Sequence, residues 1–563
     1  MAQAGGTKTA RQDPPGTCFS LDPRTRLAVE DRLRSWEESK VPSRFWSCDP
    51  TLWPSAPAEE VPDRLGWLEL PERMPEEEGD IGEFSRGIQR DGFARVVLLG
   101  MGGSSLAPGV IQSVYGVAVG FPSLSVLDST HPASVQALWG SVDSRRTLFL
   151  VSSKSGTTLE PLSLLRFFTE SLHRAGVDPG AHMAAISDPG TPLSVSAKAA
   201  GFRRVFAALP TVGGRYSALT HFGLVPAALI GVDLKTLLRS AGKMRNACTP
   251  GVPIQENPGL FLGAVLGEAA LSGRDKLTLY ASGRWHAFSA WLEQLVAEST
   301  GKHGRGIIPI SEEPLWPVPF YSADRIFVGF EDRDAADPGL RSHLDALAHA
   351  GHPVLRFSLG EGSDLGAEFF RWEVAVAASG MILGIDPFDQ PDVELAKELA
   401  REAMRSPKGS PLGRPPGAIP VADPVALRQA LLEWKGSAKA GDYVSIQAYL
   451  PPSEFLDGEI SALGRIVGDV LRLPVSWGYG PRFLHSTGQL HKGGPNSGLF
   501  LQIVDVPREI VPVPGEKYGF GDIIQAQSLG DYQALRSRGR RVVRVVLGEG
   551  AKDLPKLREA IRG

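Results

Sequence analysis

From residue 93 onward the chain alternates short apolar, β-branched runs with helical patterns: "ARVVLLG", "LSVLD", "TLFLVSS" and "MAAISD" read as strands, with a helix over about 161–175 between the last two. Strands this rich in Val, Ile and Leu, joined by helices, pair in parallel and are covered on both faces. The alternation predicts an α/β protein with a doubly wound parallel sheet, assigned to 61–235. A second unit of the same kind is read over 236–405 from "KLTLYA", "GIIPI", "RIFVGF" and "PVLRFS", followed by an almost wholly apolar helix at 366–383 that should be buried. Residues 406–440 open on "SPKGSPLGRPPGAIPVADP" and read as a Pro/Gly-rich linker. After it, "YVSIQAYL", "LFLQIVDV" and "RVVRVVL" make 441–563 an α/β segment, either a third unit or the completion of the second. Residues 1–60 are set apart as an N-terminal extension.

At 563 residues, 42% hydrophobic and 22% charged, the chain is too long for one core and has the composition of a globular protein. Its net charge of −4, with both signs interspersed, offers no basic surface for a nucleic acid. Three cysteines, Cys18, Cys48 and Cys248, have no metal-ligand spacing and fit a reducing compartment. No apolar run reaches the roughly 18–20 residues that span a bilayer, and "MAQAGGTKTARQDPPG" has no apolar signal core. A soluble cytoplasmic protein with no membrane partner is expected.

The stretch "LFLVSSKSGTTLEP" (148–161) runs a buried strand into seven residues of Ser, Thr, Gly and Lys, just before a proline that fits only the first turn of a helix. Such a loop gathers amides, hydroxyls and one ammonium at a helix N-terminus, where an anion is favoured. The ordinary alternative is a Ser/Thr cap beside a solvated lysine. A second loop, "LLGMGGSSL", partly matches a dinucleotide fingerprint, with Asp128 ending the next strand, but Ser105 stands at the third glycine position. Two hydroxyl-rich loops at the carboxyl edge of adjacent strands suit one compact phosphate and the sugar behind it better.

Five motifs occur in order: "GMGGS" at 100–104, "SKSGTT" at 153–158, "GGRYS" at 213–217, "ESTGK" at 298–302 and "FDQPDVELAK" at 388–397. Together they resemble the phosphoglucose isomerase family, whose members carry "GIGGS", "SKTFTT"-like, "GGRYS", "ESNGK" or "ESEGK", and "FDQxGVExxK" elements, with greatest likeness to the isomerase half of bacterial transaldolase–isomerase fusions. A transaldolase barrel needs about 250 residues, and only about 90 precede the first strand, so that activity is not expected.

The resemblance implies two sugar isomerase (SIS) domains, each a flavodoxin-like sheet, with the active site between them and completed by a second subunit. It implies interconversion of glucose 6-phosphate and fructose 6-phosphate without a cofactor or metal. Aldose–ketose isomerisation opens the ring, removes a proton from C2 and returns it at C1, and one carboxylate can perform both transfers through a cis-enediol. By the resemblance, Glu298 is that acid/base, Arg215 faces the developing charge, and Gln294 and Gln390 contact substrate. Gly103, Ser104, Ser153, Lys154, Ser155 and Thr158 bind the phosphate, and Lys397 works in ring opening with a histidine.

The histidine departs from the family pattern. "YSADRIFVGF" carries Ile326 where shorter bacterial members have an imidazole, whereas "HSTGQ" at 485–489 resembles their "HSLGQ". His485 is therefore assigned to ring opening, with His491 as its rival; the two make no zinc site without further ligands. A homodimer is expected from the likeness and from the apolar 366–383 helix. Two other classes stay open: a non-catalytic SIS-type sugar-phosphate sensor, which needs only the phosphate contacts, and an NAD-dependent dehydrogenase resting on the imperfect glycine loop.

Overall fold

The computed structural model describes residues 17–563 apart from 312, 361, 406–414, 510 and 549. Its first element is a short strand, β1 (Thr17–Ser20), whose sheet is formed much later in the chain. The first sheet consists of β2 (Arg95–Gly100), β3 (Ser123–Leu127), β4 (Thr147–Ser152), β5 (Met183–Ser187) and β6 (Arg204–Ala207) in the order β3-β2-β4-β5-β6, all parallel. The register sets Gly100 opposite Ser152 at the carboxyl edge, so the loops that follow β2 and β4 emerge side by side.

The second sheet holds β7 (Lys276–Ala281), β8 (Ile308–Ile310), β9 (Arg325–Asp332) and β10 (Val354–Leu359) in the order β10-β9-β7-β8, and β1 joins β10 antiparallel. The third comprises β11 (Ile419–Pro420), β12 (Tyr443–Tyr449), β13 (Val475–Tyr479), β14 (Gly498–Asp505) and β15 (Arg541–Leu547) in the order β11-β15-β14-β12-β13, all parallel. The C-terminal strands thus pair with one another and not with the second sheet. The second and third sheets share a plan: four strands wound alike, plus a short edge strand from the segment upstream.

Two stretches read as peripheral do structural work. Residues 17–60 supply β1, a helix Pro23–Glu38 with Val29, Leu33 and Trp36 buried, and Trp53, whose indole N–H donates to the Ala377 carbonyl (2.9 Å). The linker region contains β11 and a helix, Pro424–Gly436, that buries Leu427, Leu431 and Trp434; its 406–414 portion lies outside the described residues. The apolar helix Leu365–Leu383 is buried within the chain, next to helix Pro258–Leu271, and so offers no free face to a dimer partner.

The first and second units share one apolar core that runs from Leu98 and Leu148 through Trp67 and Phe370 to Val328 and Phe330. The opposite face of the first sheet, including Val97 and Phe149, packs with Val513, Phe520 and Ile523 of the C-terminal segment. The third unit also touches the second, where Tyr443, Leu490 and Phe500 pack on Ala297, Ile308 and Ile310. This double docking carries a C-terminal segment into the space between the first two units. No described helix is long and apolar enough to cross a membrane.

Candidate active site

Close backbone approach explains the glycines after β2. A Cβ on Gly103 would lie 2.0 Å from the Gly214 carbonyl oxygen, and one on Gly102, at φ +55°, would lie 2.8 Å from the His485 carbonyl and 2.9 Å from Gln294 Nε2. The "GMGGS" turn is thereby pressed against the "GGRYS" turn, the helix Phe288–Thr300 and the C-terminal segment at once. Half-buried Ser104 closes the turn with its amide on the Met101 carbonyl (3.1 Å).

The loop after β4 gathers hydroxyls. Ser153 Oγ donates to Thr158 Oγ1 (3.1 Å), Ser155 Oγ lies 3.5 Å from the same atom, and the Thr157 amide and hydroxyl donate to Ser155 Oγ (3.3 and 3.0 Å). Thr158 is the N-cap of helix Leu159–Arg174, yet its side chain makes no capping bond. The hydroxyls thus cluster at the N-terminus of this helix, where the dipole favours an anion. The Lys154 ammonium contacts both oxygens of Asp188 (2.9 and 2.6 Å) and the Leu209 carbonyl (3.1 Å), at the end of β5.

Arg215 is buried and fully engaged: Nε donates to Ser299 Oγ (2.8 Å), Nη1 to Gln390 Oε1 (2.8 Å), and Nη2 to the carbonyls of Pro387 (2.7 Å) and Asp389 (2.9 Å). Nη1 stands 3.7 Å from Glu298 Oε1. Gln390, expected to touch substrate, is exposed, and its Oε1 accepts from the guanidinium. Helix Phe288–Thr300 places Gln294 and Glu298 one turn apart on one face. Gln294 Nε2 donates both to Glu298 Oε2 (3.1 Å) and to the His485 carbonyl (2.8 Å), while its buried Oε1 has no partner. The Glu298 side chain keeps 13% exposure, a narrow opening to solvent.

His485 follows β13 in a short turn, Arg482–His485, and its Nε2 lies 2.9 Å from Glu160 Oε1. Glu160 is buried in the first turn of the helix after the hydroxyl loop and accepts from Gln527 Nε2 (2.7 Å). Burial pushes its carboxyl pKa up, but the His485 imidazole and its hydrogen bond outweigh this, and the net displacement is below the ordinary value. Lys397 pairs with Glu394 (2.6 Å) on the helix Glu394–Arg405, close enough for its charge to favour the Glu160 carboxylate.

The rival histidine lies elsewhere. His491 sits inside the third unit between Ser445 Oγ (3.4 Å) and Gln447 Nε2 (3.2 Å), against the rings of Phe483 and Phe500. Burial depresses its pKa well below the ordinary imidazole value, which makes it a neutral core residue. Asp128 is occupied too: Arg482 grips both its oxygens (2.6 and 2.8 Å), so the acid a dinucleotide ribose would require is already paired.

Sequence reasoning passed over two residues. Glu160 was not singled out, although its place two residues after "SKSGTT" was a signal. Lys302, the last residue of "ESTGK", is fully buried, and its ammonium donates to the Ser299 carbonyl (3.1 Å) and the Asp386 carbonyl and pairs with Asp389 (3.0 Å). It ties the end of the Glu298 helix to the segment that cradles Arg215, and burial lowers its pKa to about 8.

The phosphoglucose isomerase family model matches residues 76–306. Glucose-6-phosphate isomerase of Thermosynechococcus vestitus is 28% identical over 64% of this chain and 75% of that protein. Glucose-6-phosphate isomerase of Mycoplasmopsis pulmonis is 30% identical, and the match covers 59% of this chain and 88% of the relative. The chain belongs to the phosphoglucose isomerase family. Among solved structures, a hypothetical protein from Thermus thermophilus aligns over its whole length and 69% of this chain at TM-score 0.60 and 25% identity. The fold also matches a glucose-6-phosphate isomerase from Chlamydia trachomatis, at TM-score 0.51 and 22% identity over 58% of this chain and 72% of that one. The family match ends at 306, whereas His485 and Gln489 come from the segment beyond residue 440.

Proposed function

We propose that the chain interconverts glucose 6-phosphate and fructose 6-phosphate, with Glu298 transferring the proton between C2 and C1 and His485 opening the ring. The observation that carries this reading is the Gln294 amide, whose one nitrogen touches both the Glu298 carboxylate and the His485 backbone and so fixes the two groups relative to each other. The hydroxyl loop Ser153–Thr158 with Ser104 takes the phosphate. His485 passes a proton to the ring oxygen as the anomeric hydroxyl gives its own to solvent water, with Glu160 orienting the imidazole and Lys397 adding positive charge to that corner. Glu298 then removes the C2 proton, the developing enediolate is stabilised by the buried, preorganised guanidinium of Arg215, and the proton returns at C1.

A cytoplasmic homodimer akin to the isomerase half of the fusion proteins remains part of the reading; among the described residues Cys18, Cys48 and Cys248 are free thiols, as a reducing compartment allows. The test is direct. Purified chain incubated with fructose 6-phosphate alone, without nicotinamide cofactor, should yield glucose 6-phosphate by NMR, and failure of the wild-type chain to convert it overturns the reading.

A further inference from the structure

We propose that Gln489 and Asp392 form a positioning pair that holds the His485 segment against the Glu298 helix, so that ring opening depends on two side chains that never meet the substrate. This rests on the reading of His485 given above.

The fully buried Gln489 makes three contacts. Its Oε1 accepts from the Asp392 amide (2.8 Å), and its Nε2 donates to Asp392 Oδ2 (2.7 Å) and to the Gly301 carbonyl (3.0 Å). One amide group therefore ties the C-terminal segment to the chain just after Glu298 and to the chain just after Gln390. Asp392 stands where the "FDQxGVE" element has glycine, and here its carboxylate is used twice, since Oδ1 also takes Arg538 (2.6 Å). The segment passes so close that a Cβ on Gly493 would lie 2.2 Å from Asp392 Oδ2.

The other end of the segment is tied to the first unit through the bidentate Arg482–Asp128 pair. His485 thus sits on a short span, three residues after one anchor and four before the other, with its anchors on different units. A residue slung between two fixed points is aimed by both. His485 is also held by Gln294 through its carbonyl and by Glu160 through its ring, so releasing one anchor shifts the imidazole without freeing it, and a misplacement of about 1 Å is enough to cost roughly 100-fold in rate.

The test compares two substrates. Fructose 6-phosphate must be opened, whereas 5-deoxyfructose 6-phosphate lacks the hydroxyl that closes the ring. Gln489→Leu is expected to lower kcat on fructose 6-phosphate by about 10- to 100-fold with KM nearly unchanged, and to leave kcat on the 5-deoxy substrate within about twofold. Asp392→Ala should affect the same substrate in the same direction but less, because it removes only the Nε2–Oδ2 contact of the three that Gln489→Leu removes, and the double variant should stay close to Gln489→Leu. Unaltered inhibition by sorbitol 6-phosphate, an open-chain analogue, shows that the site is still folded. His485→Asn is the control. If it loses only the cyclic substrate while Gln489→Leu loses both equally or neither, the positioning pair is overturned and the histidine's role stands. If His485→Asn itself shows no such selectivity, the role of the histidine fails, and the pair falls with it.

Discussion

His485 and Glu160 lie 325 residues apart in sequence, yet their side chains meet at 2.9 Å, where buried Glu160 also accepts from Gln527. A carboxylate on one ring nitrogen sets the tautomer and the tilt of an imidazole. Glu160→Gln should therefore cut turnover of fructose 6-phosphate by about 10- to 1,000-fold while sparing 5-deoxyfructose 6-phosphate, the same selectivity as His485→Asn. Steady-state kinetics on both substrates checks this; equal losses would place the pair outside ring opening.

The phosphate cradle should depend on hydroxyls and not on its lysine. Ser155→Ala and Thr158→Val are each expected to raise KM for fructose 6-phosphate and Ki for inorganic phosphate by about tenfold, the worth of a hydrogen bond to a charged group. Lys154→Met should leave the phosphate Ki within about threefold, because its ammonium already contacts both oxygens of Asp188. A large rise in Ki for Lys154→Met alone would contradict the arrangement.

These contacts show what was legible in the chain and what was not. The apolar runs at 95–100, 147–152 and 183–187 read directly as β2, β4 and β5, because burial on both faces leaves an unbroken apolar signature, while edge strand β3, interrupted by Ser123 and Ser125, was read from its remaining apolar residues. Three short or edge strands left no such trace: β1 is four residues long, β6 carries Arg204, and β11 is two residues ending in proline. Their identity comes from the neighbour they pair with. The site divides in the same way. Glu298, Gln294 and Arg215 were marked by local motifs, and His485 by the short likeness of "HSTGQ". The use made of Lys154 depends on Asp188 at the end of β5, and that of Gln390 on Arg215, 175 residues earlier; local pattern carries neither.

The neutral imidazole of His491 makes a distinct claim about acid stability. Burial holds its folded-state pKa well below the ordinary 6.5, so below that pH the unfolded chain binds a proton that the folded one refuses. Stability contributed by this site is present above pH 6.5 and is lost on acidification, at about 1.4 kcal/mol per pH unit. Between pH 7 and pH 5 the urea unfolding free energy of wild type should fall faster than that of His491→Gln. Parallel decline in the two proteins would show that the imidazole takes up a proton in place.

Proton transfer at the substrate's second carbon is the step on which the account turns. With glucose 6-phosphate deuterated at C2, wild type should wash the label into water during turnover, since a carboxylate with 13% exposure exchanges its proton with solvent between transfers. Glu298→Gln keeps the bulk of the side chain and should slow both isomerisation and loss of the C2 label by at least about 1,000-fold, with the phosphate Ki unchanged. Label loss in that variant at a rate near wild type would mean that another group removes the proton, and the assignment of Glu298 would be wrong.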